Sequence, residues 1–96
     1  MYRVLLAEDE ILVRLGLKNS IDWQKYGMQV VADVPNGAEA WSAYEKLQPE
    51  VVITDLKMPI MGGIELLSKI RSASPHTRLL ILTCLEEFEL AKQAMS

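Results

Sequence analysis

Four short apolar runs, separated by stretches of helical periodicity, constrain the fold of this chain more than any other feature. Val4-Leu5-Leu6 is the first and ends in acids. Met28 to Val34 is the second and is rich in β-branched residues. Val51-Val52-Ile53-Thr54 is the third and ends in Asp55, and Leu79-Leu80-Ile81-Leu82 is the fourth and ends at Thr83. Runs of this length and composition predict strands. Between them, residues from about Ile11 to Ser20 place Leu12 and Leu15, and Val13 and Leu17, at helical intervals. Ala38 to Leu47 puts Ala40, Trp41, Tyr44 and Leu47 on one helical face, and Ile64 to Arg71 repeats Ile64, Leu67 and Ile70. Glu86 to Ser96 predicts the start of a fourth helix, with Phe88, Ala91 and Met95 on one face. Gly27, Pro35-Asn36-Gly37, Gln48-Pro49 and Ser74-Pro75-His76 interrupt the periodicity where turns are needed. The order βαβαβαβα, with strands apolar on both faces, predicts an α/β fold: a doubly wound parallel sheet covered by helices on both sides.

Length and composition narrow the class. A chain of 96 residues is one domain or less. An apolar share of 50% excludes a disordered chain. No apolar stretch approaches the roughly 18 residues of a membrane span. Glu8-Asp9-Glu10 falls where a signal peptide would need its apolar stretch, so a cytoplasmic location is expected. The single cysteine, Cys84, excludes an internal disulfide, and with only His76 beside it a Cys/His metal site has too few ligands. A net charge of −3 argues against this segment gripping a nucleic-acid backbone by itself. No glycine-rich dinucleotide motif or phosphate loop is present.

In open parallel sheets, sites form beyond the carboxyl ends of the strands. Glu8, Asp9 and Glu10 follow the first predicted strand, Asp55 the third, and Thr83-Cys84 the fourth. If the first and third strands are neighbours, their backbones lie about 4.8 Å apart. Glu8, Asp9 and Asp55 would then share one hard cation, and Mg²⁺ suits such a site because it takes oxygen ligands and keeps several waters. The alternative is that the acids face the positive end of the first helix dipole. That reading accounts for Glu10 better than for Asp55, which sits at the rim of a buried strand.

Leu5-Leu6-Ala7-Glu8-Asp9-Glu10, Thr54-Asp55-Leu56-Lys57-Met58-Pro59 and Leu82-Thr83, taken as an ordered set, resemble a receiver domain of a two-component response regulator. Ile21-Asp22-Trp23, Tyr26-Gly27 and Glu87-Phe88-Glu89 further resemble receivers that precede AraC-type DNA-binding domains. The resemblance implies a flavodoxin-like sheet of strand order 2-1-3-4-5. It implies that Asp55 accepts a phosphoryl group from a partner sensor histidine kinase, and that Thr83 donates its hydroxyl to that group. It also implies that Glu8, Asp9, Asp55 and the Lys57 carbonyl hold Mg²⁺. The output would be transcriptional, with nucleic acid contacted only through a separate domain.

The chain departs from the family pattern in places. Gly62 stands where an acid is common, and Glu8 where Asp is commoner. The fifth strand, with its switch aromatic and Lys-Pro pair, and the fifth helix are expected beyond Ser96. The receiver is therefore expected to be incomplete at its C-terminus over residues 1–96, less stable than a complete one or paired with a second copy. Cys84 reads as a packing residue, His76 as solvated, Trp41 and Tyr44 as core contacts, Trp23 as packed, Phe88 as apolar cover, and Lys57 as solvent-facing. Two other functions stay open at this level. One is a degenerate receiver that serves only as an interaction module. The other is a haloacid dehalogenase-type phosphatase, which would need an acid where Lys57 stands.

Overall fold

The computed structural model describes residues 1–82. In chain order they form β1 (Tyr2–Ala7), α1 (Ile11–Ser20), a short 3₁₀ turn (Trp23–Tyr26), β2 (Met28–Val34), α2 (Gly37–Leu47), β3 (Val51–Asp55), α3 (Gly63–Ala73) and β4 (Arg78–Leu82). The strands make one parallel sheet in the order β2-β1-β3-β4. This is the doubly wound arrangement that the alternating pattern predicts. Thr83, Cys84, Phe88 and the fourth helix predicted over Glu86 to Ser96 lie outside the described residues.

Side chains of β1 alternate between two cores, as the period of a strand requires. Leu5 and Ala7 pack with Ala40 and Tyr44 of α2, Val52 of β3, and Leu66 and Ile70 of α3. Val4 and Leu6 pack on the opposite face with Val51 and Ile53, and against Leu17, Trp23, Met28 and Val30. Helices α2 and α3 therefore cover one face of the sheet and α1 covers the other.

The two covers differ in kind. Ala40, Tyr44, Leu66 and Ile70 are buried, and Trp41 stacks on Tyr44 with ring centroids 5.7 Å apart. Asn36 starts α2 by accepting the Glu39 N–H at 2.8 Å, while its own amide donates to the Glu39 carboxylate at 2.8 Å. Helix α1 buries no residue. Leu12 is 82% exposed, and Ile11, Val13 and Leu15 are exposed as well. Only Arg14 and Leu17 of this helix escape full exposure. The apolar spacing identifies the helix, but its inward side is one arginine and one leucine.

The end of the sheet opposite the strand C-termini is tied by Arg3. Its guanidinium donates to the Leu47 and Gln48 carbonyls at 2.7 and 2.8 Å and to the Glu50 carboxylate at 3.0 Å. It thereby satisfies carbonyls that the end of α2 leaves without partners. Element bounds differ slightly from the periodicity. Gly37 joins α2, Asp55 closes β3, α3 continues past Arg71 to Ala73, and β4 begins at Arg78.

Beneath α2 the Tyr44 and Thr77 hydroxyls share a hydrogen bond of 2.8 Å, and both residues are buried. Replacing Tyr44 with Phe leaves the Thr77 hydroxyl without its partner. That change should cost about 1–3 kcal/mol, read as a lower urea midpoint with an unchanged slope. An unchanged midpoint would show that water replaces the contact.

Candidate functional site

The register of the sheet builds the site. Leu6 pairs with Ile53 and Ala7 with Thr54, so one step further along both strands brings Glu8 level with Asp55. Glu8, Asp9 and Asp55 each offer a carboxylate oxygen, and these oxygens all lie within 4.8 Å of one another. Glu8 is 5% exposed, Asp55 is partly buried, and Asp9 is open to solvent.

Each acid is held by the main chain around it. The Glu8 N–H donates to the Val34 carbonyl at 3.0 Å, and the Glu8 carbonyl accepts from Arg14 Nη1 at 2.7 Å. Glu8 Oε2 accepts the Asp9 N–H at 3.1 Å. Asp55 Oδ1 accepts the Leu56 N–H at 2.7 Å, which sets the rotation of its carboxylate. Thr54, fully buried beneath, donates its hydroxyl to the Asp55 carbonyl at 2.9 Å.

The loop after β3 is clamped at two glycines. The Gly63 N–H donates to the Leu56 carbonyl at 2.9 Å, and a Cβ at Gly63 would collide with the Asp55 carbonyl. The Gly37 N–H donates to the Met61 carbonyl at 3.0 Å, and a Cβ there would strike that same carbonyl. Between the clamps, the Met61 N–H closes a tight turn onto the Pro59 carbonyl at 2.7 Å, around Ile60 at φ 71°. A β-branched residue in that region is strained. Lys57 rides on this loop with its side chain exposed.

Crowding of like charge sets the electrostatics. Burial, hydrogen bonding with the Asp55 carboxyl, and the charges of Asp55 and Asp9 push the Glu8 carboxyl from its ordinary 4.5 up to about 8, against a smaller opposing effect of the Asp9 N–H. Burial and the crowding of like charge therefore favour the protonated form of Glu8. A cation would displace that proton and relieve the repulsion. The donors are all hard oxygens, which fits a hard divalent cation and not a soft one.

The sequence profile of the response regulator receiver domain matches residues 4–96. The chain belongs to the response regulator receiver family. It is 41% identical over 95 residues to the uncharacterized transcriptional regulatory protein YesN of Bacillus subtilis, covering 99% of this chain and 26% of YesN. It is 37% identical over 92 residues to the transcriptional regulatory protein HptR of Staphylococcus aureus, covering 96% of this chain and 36% of HptR. Among solved structures, it is similar to the receiver domain of AraT, a response regulator from Geobacillus stearothermophilus. The TM-score there is 0.90 and the identity 36%, over 98% of this chain and 73% of that one. The chain thus spans 26% of the length of YesN and 36% of that of HptR. Receivers are signalling phosphoacceptors and not turnover enzymes, which removes the phosphatase alternative.

Of the residues singled out from sequence, the receiver fold brings Glu8, Asp9 and Asp55 together. Lys57 follows on the same loop, and Thr83 lies outside the described residues. Glu10 occupies the position before α1 but makes no capping hydrogen bond with its side chain. His76 is exposed and Trp23 is partly buried, its indole N–H on the Lys18 carbonyl at 3.2 Å. Sequence reasoning misses Arg14 and Asp33. Burial pushes the Asp33 carboxyl up, but hydrogen bonds and charge from Lys18 and Arg14 outweigh it and hold the group below its ordinary value. No local spacing signals this cluster, because Asp33 stands on a different element from Arg14 and Lys18.

The state of Glu8 predicts a pH dependence. In the unfolded chain Glu8 loses its proton near its ordinary 4.5, whereas the metal-free folded chain holds it up to about 8. The folded state binds more protons across that window, so the contribution of Glu8 to stability declines as pH rises through it. Thermal unfolding without divalent cations should show this loss between the two values, and Mg²⁺ should flatten it. A Mg²⁺-independent profile would contradict the assignment.

Proposed function

We propose that this receiver is phosphorylated on Asp55 by the phosphohistidine of a partner sensor histidine kinase, with Mg²⁺ bound at the acidic group. The convergence of Glu8, Asp9 and Asp55 at the carboxyl edge of the sheet carries this reading. A carboxylate oxygen of Asp55 attacks phosphorus, the P–N bond to the kinase imidazole breaks, and its electron pair returns to the ring, which takes up a proton. The product is an acyl phosphate on Asp55. Glu8, Asp9, Asp55 and the Lys57 carbonyl would hold the cation. When bound, Mg²⁺ offsets negative charge on the transferring phosphoryl oxygens.

The Leu56 N–H, by holding Asp55 Oδ1 at 2.7 Å, keeps the carboxylate from rotating away. Thr83 is assigned the role of donating its hydroxyl to a phosphoryl oxygen. Such a contact exists only in the phosphorylated state, so it biases a conformational equilibrium toward that state. The transcriptional names of YesN and HptR support an output in gene regulation. The AraC type of the output domain rests on the resemblance carried by Ile21-Asp22-Trp23 and Tyr26-Gly27, and a cytoplasmic location on the acids at Glu8-Asp9-Glu10. A degenerate receiver has no need to hold three mutually repelling acids together, and their juxtaposition favours the phosphorylated reading.

Incubation with acetyl phosphate and Mg²⁺, followed by intact mass spectrometry, tests it. The wild-type chain should gain one phosphoryl group, Asp55→Asn should gain none, and chelation of Mg²⁺ should abolish the gain. Equal labelling of the wild-type chain and Asp55→Asn would overturn the assignment.

A further inference from the structure

We propose that Arg14 is a positioning residue for the cation site, acting through the main chain at Glu8 and not through contact with the cation. The inference rests on the reading of Glu8, Asp9 and Asp55 as cation ligands. Arg14 is one of the two residues of α1 that turn inward, and its side chain is 12% exposed. Nε donates to Asp33 Oδ2 at 3.2 Å, and Nη1 donates to the Glu8 carbonyl at 2.7 Å. Lys18 Nζ takes the other Asp33 oxygen at 3.0 Å, so Asp33 is anchored from both sides and holds the guanidinium in turn.

The Glu8 carbonyl and the Asp9 N–H belong to one planar peptide unit. Arg14 holds the carbonyl edge of that plane, and the N–H edge holds Glu8 Oε2 at 3.1 Å. The preceding peptide is pinned separately by the Glu8 N–H on the Val34 carbonyl at 3.0 Å. Rotation of the Glu8–Asp9 plane would swing the Asp9 carboxylate and release the Glu8 carboxylate together. The Arg14 fork blocks that rotation with a charge-assisted hydrogen bond. A lysine at this position reaches either the Glu8 carbonyl or Asp33, because its single ammonium cannot span both as the planar fork does.

Titration of the full chain with Mn²⁺, followed by the electron paramagnetic resonance of the free ion, tests the inference alongside thermal unfolding. Arg14→Met should weaken Mn²⁺ binding by about tenfold or more, with Arg14→Lys between it and the wild-type chain. Lys18→Met removes a neighbouring contact to Asp33 but leaves the Glu8 peptide clamped. It should lose stability with no loss of Mn²⁺ affinity. Wild-type affinity in both Arg14 variants overturns the inference, as does an equal loss in Lys18→Met. If Arg14→Met does not fold, Arg14→Lys decides by the same criterion. Absence of Mn²⁺ binding by the wild-type chain overturns the cation-site reading itself and this inference with it.

Discussion

Three carboxylates brought together at the ends of two adjacent parallel strands repel one another, and the structure has to contain that repulsion. Glu8 and Asp55 stand level because β1 and β3 pair in a fixed register, and Asp9 follows one residue on. Glu8 is nearly buried, so water screens it poorly and its proton is held far above the ordinary carboxylate range. Either a retained proton or a hard cation would relieve that repulsion. A hard cation bound there would stabilise the fold by mass action.

The rest of the fold supplies the rigidity that keeps these acids in place. Four consecutive buried residues of β1, Val4 to Ala7, lock the strand between two apolar cores. A shift of one residue would exchange every side chain between those cores, so the register is strongly specified. Asp55 is fixed by the Leu56 N–H from one side and by the close approach of Gly63 from the other. The strained turn at Ile60 persists because the loop is tied at Gly37 and Gly63. Helix α1 differs from α2 and α3 in its polar attachment: Arg14 and Lys18 fasten it to Asp33, and its apolar residues near the acids stay open to solvent.

Much of this was legible in the residue pattern, and the exceptions have physical causes. Apolar runs ending in acids located β1 and β3 and, with them, Glu8, Asp9 and Asp55. Breakers at Pro35-Asn36-Gly37 and Ser74-Pro75-His76 located the ends of elements within a residue or two, as capping ambiguity allows. Which side of α1 faces inward was not legible, because Leu12 and Leu15 have the same apolar spacing as Val13 and Leu17, yet only Leu17 and Arg14 turn toward the sheet. The roles of Gly37 and Gly63 were hidden for a similar reason: close backbone approach depends on the tertiary placement of Met61 and Asp55. Arg14 and Asp33 meet across two elements, and no local sequence rule pairs them.

Anomalous diffraction from crystals of the chain soaked in Mn²⁺ decides whether the three acids hold a cation together. One strong peak is expected, bounded by carboxylate oxygens of Glu8, Asp9 and Asp55, with the Lys57 carbonyl turned toward it. An empty site at saturating Mn²⁺, or a peak that leaves Asp55 uncoordinated, would contradict it.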